Sequence, residues 1–322
     1  MSASTGKSNA TGYILYFTAA SLWALNGTIS KIILLSVGDP SRVSQLRNTA
    51  AFLILFVVVL LVRRSGFRLK RSEIGNILVY SLGGITITQY AYFEAISRMP
   101  IGVSLLIEFT APIFIVLWVR YGRKQQVKPT IWLGLLMAIG GLALVGQVWS
   151  GLKFDALGLI FSFIAMTSLI FYYIFGERAS LQRDAISLMM WGFFCSSVFW
   201  AIKLSWFEFP WEKLNVLVQP FPQTEMQMPV WVLAMYMIIG GTVLPFTLVI
   251  QGMKYLGAAG ASLMGMMEPL VAFIIAWIVL GESLNSIQII GGLIMLTGVY
   301  IAELARVSKK PEIENMEAIA PS

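Results

Sequence analysis

Histidine is absent from all 322 residues, cysteine occurs once, and only 12% of the chain is charged. Each shortage excludes a class of chemistry. Without histidine there is no Ser-His nucleophile pair, no zinc-binding His-Glu-x-x-His helix, and no side chain whose ordinary titration falls near neutral pH. A single cysteine, Cys195, excludes an internal disulfide, and redox chemistry lacks the cysteine clusters or axial histidines of iron-sulfur and most haem centres. The three aspartates, Asp39, Asp155 and Asp184, fall in connections between apolar runs, so an intramembrane paired-aspartate protease fails as well. No enzyme, cofactor or metal site is expected.

The shortage of charge is matched by an excess of apolar residues, which make up 57% of the chain; an average soluble domain carries about 25% charged residues. A soluble fold of this length has nowhere to hide that much apolar surface. The apolar residues also form long runs, each near the roughly 20 residues that cross a hydrocarbon core about 30 Å thick. The fold class expected is therefore an all-α integral membrane protein with ten transmembrane helices. Their approximate bounds are 13–37, 43–62, 74–97, 101–121, 130–148, 154–175, 185–204, 230–252, 258–280 and 286–305. The first run outlasts the roughly 7 to 15 apolar residues of a secretory signal and is read as a retained span. Short connections make consecutive spans antiparallel neighbours. The longer segment 205–229, rich in Trp, Phe and Pro, suits the headgroup layer. The polar tails, 1–12 and 306–322, carry nothing that builds a core, and the second is expected to be disordered.

Orientation follows from the bias of Lys and Arg toward cytoplasmic loops. With the N-terminus inside, that side collects Lys7, Arg63, Arg64, Arg68, Lys70, Arg71, Arg120, Arg123, Lys124, Lys128, Arg178, Arg183, Lys254, Arg306, Lys309 and Lys310, while the far side keeps Arg42, Arg98, Lys153, Lys203 and Lys213. Both termini are thus expected in the cytoplasm, in the cell membrane. The net charge of +7 is accounted for by topology, with no nucleic-acid partner.

Sliding the chain against itself by 157 residues superposes Gly83-Gly84 on Gly240-Gly241, Pro112 on Pro269, Gly134 on Gly291 and Gly141 on Gly298. An odd number of spans per repeat inverts the second relative to the first. The loop 121–128 is crowded with Arg and Lys, whereas its mate, 281–285, has none, as a loop on the opposite side should. The expectation is two inverted five-helix repeats, 13–149 and 154–305, around a central cavity.

The residues resemble the drug/metabolite transporter superfamily, of the EamA type with two repeated domains. The resemblance runs from about Tyr13 to Ala305. It rests on Ala20-Ser21-Leu22-Trp23-Ala24-Leu25-Asn26-Gly27, Leu46-Arg47-Asn48, Glu268-Pro269, and Leu280-Gly281-Glu282-Ser283-Leu284 followed by Gly291-Gly292. A departure is Tyr121-Gly122-Arg123-Lys124, which stands where the family carries a Gly-Glu-Arg loop. The resemblance implies secondary transport by alternating access, often export of amino acids or other metabolites.

Functional residues should be polar groups kept in the membrane at a cost, about 2.5 to 3.5 kcal/mol for a mid-depth charge on the translocon scale. Glu108 and Glu268 meet that description, and each lies near a helix-breaking proline, Pro112 or Pro269. Without histidine, any proton shuttle falls to these carboxylates; the alternative is that they hydrogen-bond to neighbouring helices and lock the bundle. A stripe of Thr86, Tyr90 and Glu94 with Gln89 beside it, and Thr247 and Gln251 in the shifted mate, reads as facing walls of the cavity. Glu94 equally reads as the partner of Arg98 in a solvated bridge. Trp23 and Asn26 share a face of the first span, an indole beside an amide that suits an amphipathic solute, although such a Trp is equally a packing surface. Lys31 and Arg47 are read as snorkelling to the headgroups.

The function expected is secondary transport, in the export direction, of small amphipathic metabolites such as amino acids, with proton coupling through Glu108 or Glu268. A passive facilitator or channel, or a flippase of a lipid-linked substrate, stands as the alternative. The expected partners are a small solute and the bilayer; the number of subunits stays open.

Overall fold

The computed structural model describes residues 3–147, 155–220, 225–280 and 285–307. The fold is all-α apart from one two-residue ladder, and seven helical stretches are long and apolar enough to cross a membrane, with Thr130–Val145 a shorter apolar helix. In chain order the helices are α1 (Ala3–Val37), α2 (Pro40–Val62), α3 (Arg71–Leu78), α4 (Ile87–Arg98), α5 (Ile101–Glu108), α6 (Ala111–Leu117) and α7 (Thr130–Val145). They continue as α8 (Ala156–Gln182), α9 (Ala185–Lys203), α10 (Val230–Ile238), α11 (Leu244–Gly265), α12 (Met267–Leu280) and α13 (Ser286–Val307).

The three aspartates take a structural role. Asp39, Asp155 and Asp184 are the N-caps of α2, α8 and α9, and each accepts a hydrogen bond from a backbone N–H of the first turn, Ser41 at 2.8 Å, Gly158 at 2.7 Å and Ser187 at 3.0 Å. Such caps satisfy donors that a helix otherwise leaves open.

Where ten uninterrupted spans were expected, several are broken, and the breaks have local causes. The third expected span is interrupted by a π-helical segment, Val79–Thr86, and the eighth by another, Ile239–Val243. Both contain the glycine pairs matched by the 157-residue shift. The fourth span stops after Glu108 and restarts at Ala111, and the ninth stops at Gly265 and restarts at Met267. Phe109 and Met266, at the two breaks, also stand 157 residues apart. Pro112 and Pro269 therefore sit in the first turn of a restarting helix, where a missing N–H costs nothing, and not inside a continuous one. Gly257, at φ 67° and ψ 177°, reverses the chain within α11 between the eighth and ninth expected spans. An added Cβ there would be strained by the backbone and would lie 2.9 Å from Glu177 Oε1.

The tightest packing is between α7 and α13. Gly134 lies against Gly298 and Gly141 against Gly291, so the two helices run antiparallel with their backbones in contact, and a Cβ on any of the four would collide with the opposing main chain. Large apolar residues such as Leu35, Leu61, Ile202 and Leu293 remain exposed on the outer faces, as lipid-facing positions should.

The N-terminal tail is helical from Ala3, because α1 extends the first span backward. The segment expected to be an interfacial loop carries 3₁₀ turns at Trp206–Glu208 and Trp211–Asn215 and a ladder of β1 (Leu217–Val218) with β2 (Met228–Pro229). Its Trp206, Phe209 and Trp211 pack on one another, and Arg42 ties it to α2 through the Ser205 carbonyl at 2.6 Å and the Glu208 carboxylate at 3.2 Å. The C-terminal tail from 308 and the loop 281–284 lie outside the described residues.

Candidate functional site

A cavity of about 90 Å³, room for several water molecules, lies where the broken helices meet. Its walls come from both halves of the chain. The first half contributes Trp23, Asn26 and Gly27 of α1, Arg47 of α2, Gly84 of the π-helical segment, Thr88, Gln89 and Tyr92 of α4, and Leu105, Glu108 and Phe109 at the end of α5. The second contributes Leu169, Tyr172 and Tyr173 of α8, Phe246 and Gly265 of α11, and Glu268 of α12.

Broken and π-helical backbone shapes this site. Trp23 donates its indole N–H to the Gly241 carbonyl at 3.1 Å, and Arg47 donates to the same carbonyl at 2.7 Å and to Thr242 Oγ1 at 2.6 Å. A π-helical turn shifts the usual hydrogen-bond pattern and leaves backbone groups available for such partners. In the opposite half Ser168 donates to the Gly83 carbonyl and Thr88 donates to Ser168 at 2.7 Å. In each half, then, a side chain of the long leading helix grips a glycine carbonyl in the π-helical segment of the other.

Of the residues singled out from sequence, Trp23, Asn26, Gln89, Glu108 and Glu268 face this cavity. Gln89 is 3% exposed, with neither amide oxygen nor amide nitrogen partnered, and Glu108 is 9% exposed with Oε2 unpartnered. Neither carboxylate takes part in an ion pair or hydrogen bond among the described residues. The remaining candidates lie elsewhere. Thr86 hydrogen-bonds to the Ser81 carbonyl at 2.9 Å, and Thr247 to that of Val243 at 2.6 Å. Tyr90 packs edge-on against Phe161 and Trp200, Glu94 meets Arg98 at 3.4 Å, and Gln251 is exposed. Pro112 and Pro269 are buried and do not line it.

Arg47 corrects the snorkelling assignment, since it is 3% exposed and held inward by Gly241 and Thr242, with its guanidinium 5.3 Å from the Phe93 ring centre. Nothing in the local sequence of Arg47 signals this, because the partners lie almost two hundred residues away. Lys31 turns its ammonium to the Ile96 carbonyl.

Toward the end of the bundle that holds Arg123 and Arg306, the cavity is closed by Tyr16 and Tyr173, whose hydroxyls hydrogen-bond over Gly265. Beyond this pair a bay of about 810 Å³ opens, edged by Arg123, Lys128, Lys254 and Arg306, with Arg123 paired to Glu177.

Membrane-length helices around a cavity built from both halves of the chain, with a few charged and polar groups set in a largely apolar wall, define a multi-pass membrane transporter. The EamA-like transporter family model matches twice in succession, over residues 10–147 and 156–304, and the chain belongs to that family. It is similar to a protein of Archaeoglobus fulgidus named an uncharacterized transporter, with 25% identity over 86% of this chain and 92% of the relative. It is also similar to the uncharacterized inner membrane transporter YicL of Salmonella typhimurium, with 22% identity over 91% and 95% of the two chains. A solved structure titled only as the crystal structure of a protein has the same fold, at a TM-score of 0.68 and 17% identity over 94% of this chain and 99% of that one.

Proposed function

We propose that the chain is a secondary carrier of ten spans, arranged as two inverted five-helix repeats, 13–149 and 154–305, that rock about the shared cavity and expose it alternately to the two sides. The solutes are small amphipathic metabolites such as amino acids, moved outward, with Glu108 and Glu268 carrying the coupled proton. One observation carries this reading. Two carboxylates from the break points of opposite halves meet in one cavity with no hydrogen bond or ion pair to either among the described residues, at a cost that a purely structural bundle has no reason to bear. The antiparallel glycine contacts of α7 with α13 and the reciprocal grip on the two π-helical segments support the inverted arrangement.

Solute efflux from proteoliposomes, with and without an imposed proton gradient, tests the mechanism. Efflux should speed up when protons are driven inward against it. The double variant Glu108→Gln, Glu268→Gln, which has no proton to exchange, should lose that response, whatever rate of efflux it retains. A wild-type rate indifferent to the gradient removes the coupling and leaves the carrier.

The flippase alternative draws support from one feature. An apolar groove of about 780 Å³ faces outward between Val79, Gly83 and Ile87 on one side and Ile160, Ser168 and Phe171 on the other. Only the thickness of the chain separates it from the cavity, where Gly83 gives way to Gly84 and Ser168 to Leu169. Preferential transport of solutes carrying a long alkyl tail would favour that reading.

A further inference from the structure

The charges of the cavity are unbalanced. Glu108 and Glu268 bring two acidic groups, and Arg47 is the single basic side chain among the lining residues. Arg47 is already engaged, with Nε on Thr242 and Nη2 on the Gly241 carbonyl, so its fork is turned to the opposite half's backbone. One cation thus stands against two carboxylates, and it is in an ion pair with neither among the described residues. Glu108 Oε2 stands unpartnered in a group nine-tenths buried, where an uncompensated negative charge costs several kcal/mol.

Two helix C-termini, of α5 at Glu108 and of α11 at Gly265, end at the cavity, and α12 starts there with Glu268 in its first turn, so backbone ends of both signs meet the site. The excess of negative charge is that of the side chains, two carboxylates to one guanidinium. The rest of the wall is aromatic, with Trp23 edge-on to Phe246 at 5.2 Å, Tyr172 at 5.6 Å from Phe246, and Tyr92 opposite, and ring faces attract an ammonium group. Gln89, with both amide atoms free, offers a donor and an acceptor to whatever polar group lies beside the amine.

We propose that the cavity recognises its solute through a cationic amino group, with Glu108 and Glu268 as its counter-charges, and that a carboxylate on the solute is not required for binding. This names the recognised end of the solute and rests on the carrier reading. It groups simple amines with amino acids as ligands, and it sets aside solutes whose nitrogen is acylated.

Four probes of similar shape test it by calorimetric titration of the purified full chain in detergent: 2-phenylethylammonium, phenylalanine, N-acetyl-2-phenylethylamine and 3-phenylpropionate. The first should bind at least as tightly as the second, and both about tenfold or more tighter than the last two, a difference of about 1.4 kcal/mol. Glu108→Gln with Glu268→Gln should weaken 2-phenylethylammonium about tenfold or more; should the double variant not fold, Glu268→Gln alone gives the same readout, checked by its thermal transition. Tight binding of the acetylated or propionate probe, phenylalanine binding tenfold better than the amine, or no binding by any probe overturns the proposal. Counterflow in proteoliposomes separates the two readings. Amine binding without flux removes the carrier and leaves the site, whereas flux of the anionic probe without amine binding removes the site and leaves the carrier.

Discussion

Arg47 shows how much a single side chain does here. A guanidinium at 3% exposure is tolerable in a membrane only if its donors are used, and Thr242 and the Gly241 carbonyl use them. It thereby pins α2 to the π-helical segment of the other half. Arg47→Ala should cost on the order of 2 kcal/mol, the worth of a charge-assisted hydrogen bond lost from a buried site, seen as a lower melting temperature in detergent. Arg47→Lys keeps the charge but loses the fork, and should recover only part of that loss. Equal stability of all three proteins would show that the contact is dispensable. The same reasoning separates Glu108 from Glu94. Both are acidic and near helix ends, yet Glu94 has Arg98 one turn away and Glu108 has Oε2 unpartnered among the described residues. Sequence pattern grouped Glu94 with Thr86 and Tyr90 because it reads spacing along a helix, and spacing does not say which way that helix is rotated in the bundle.

At the scale of elements, the packing of α7 on α13 rests on the absence of side chains. Gly141 faces the backbone of Gly291 and Met295, whereas its neighbour Gly140 has nothing within 4 Å of an added Cβ. Gly141→Ala should therefore destabilise by about 1 to 3 kcal/mol, the usual cost of overpacking. Gly140→Ala should be neutral or slightly stabilising, since alanine is the better helix former. Thermal unfolding of the two variants side by side checks this, and a reversal of their order would mean that the helices do not meet as described. The broken spans make a complementary point. Prolines were readable as helix breakers, but the breaks fall two or three residues earlier, at Phe109-Thr110 and at Met266, because a restarting helix accepts proline in its first turn.

For the whole molecule, the prediction is topological. Cysteines placed singly at Lys124 and Asn285, in a chain whose Cys195 is replaced by serine, should be reached by impermeant thiol reagents from opposite faces of the membrane, Lys124 from the cytoplasm. Labelling of both from one face would end the inverted-repeat reading and, with it, the rocking mechanism. The ion pairs Arg63 with Asp184, Arg183 with Glu73 and Arg123 with Glu177 gather at the end expected to be cytoplasmic, where the Tyr16 and Tyr173 hydroxyls close the cavity. In this conformation the barrier on that side is thus both polar and aromatic.

Composition and run length were enough by themselves to establish a helical membrane protein, because solvation by lipid leaves a signature in every residue of a span and needs no knowledge of neighbours. Short motifs in order were enough for the family, and the matched glycines pointed to the repeat. Which polar residues converge was decided only in three dimensions. Trp23, Asn26, Gln89, Glu108 and Glu268 meet in one cavity while Tyr90, Glu94 and Gln251 do not, and Arg47 joins them unannounced. The physical reason is that helix rotation and π-helical offsets are set by packing between segments remote in sequence, and a one-residue shift in a helix turns a side chain by about 100°.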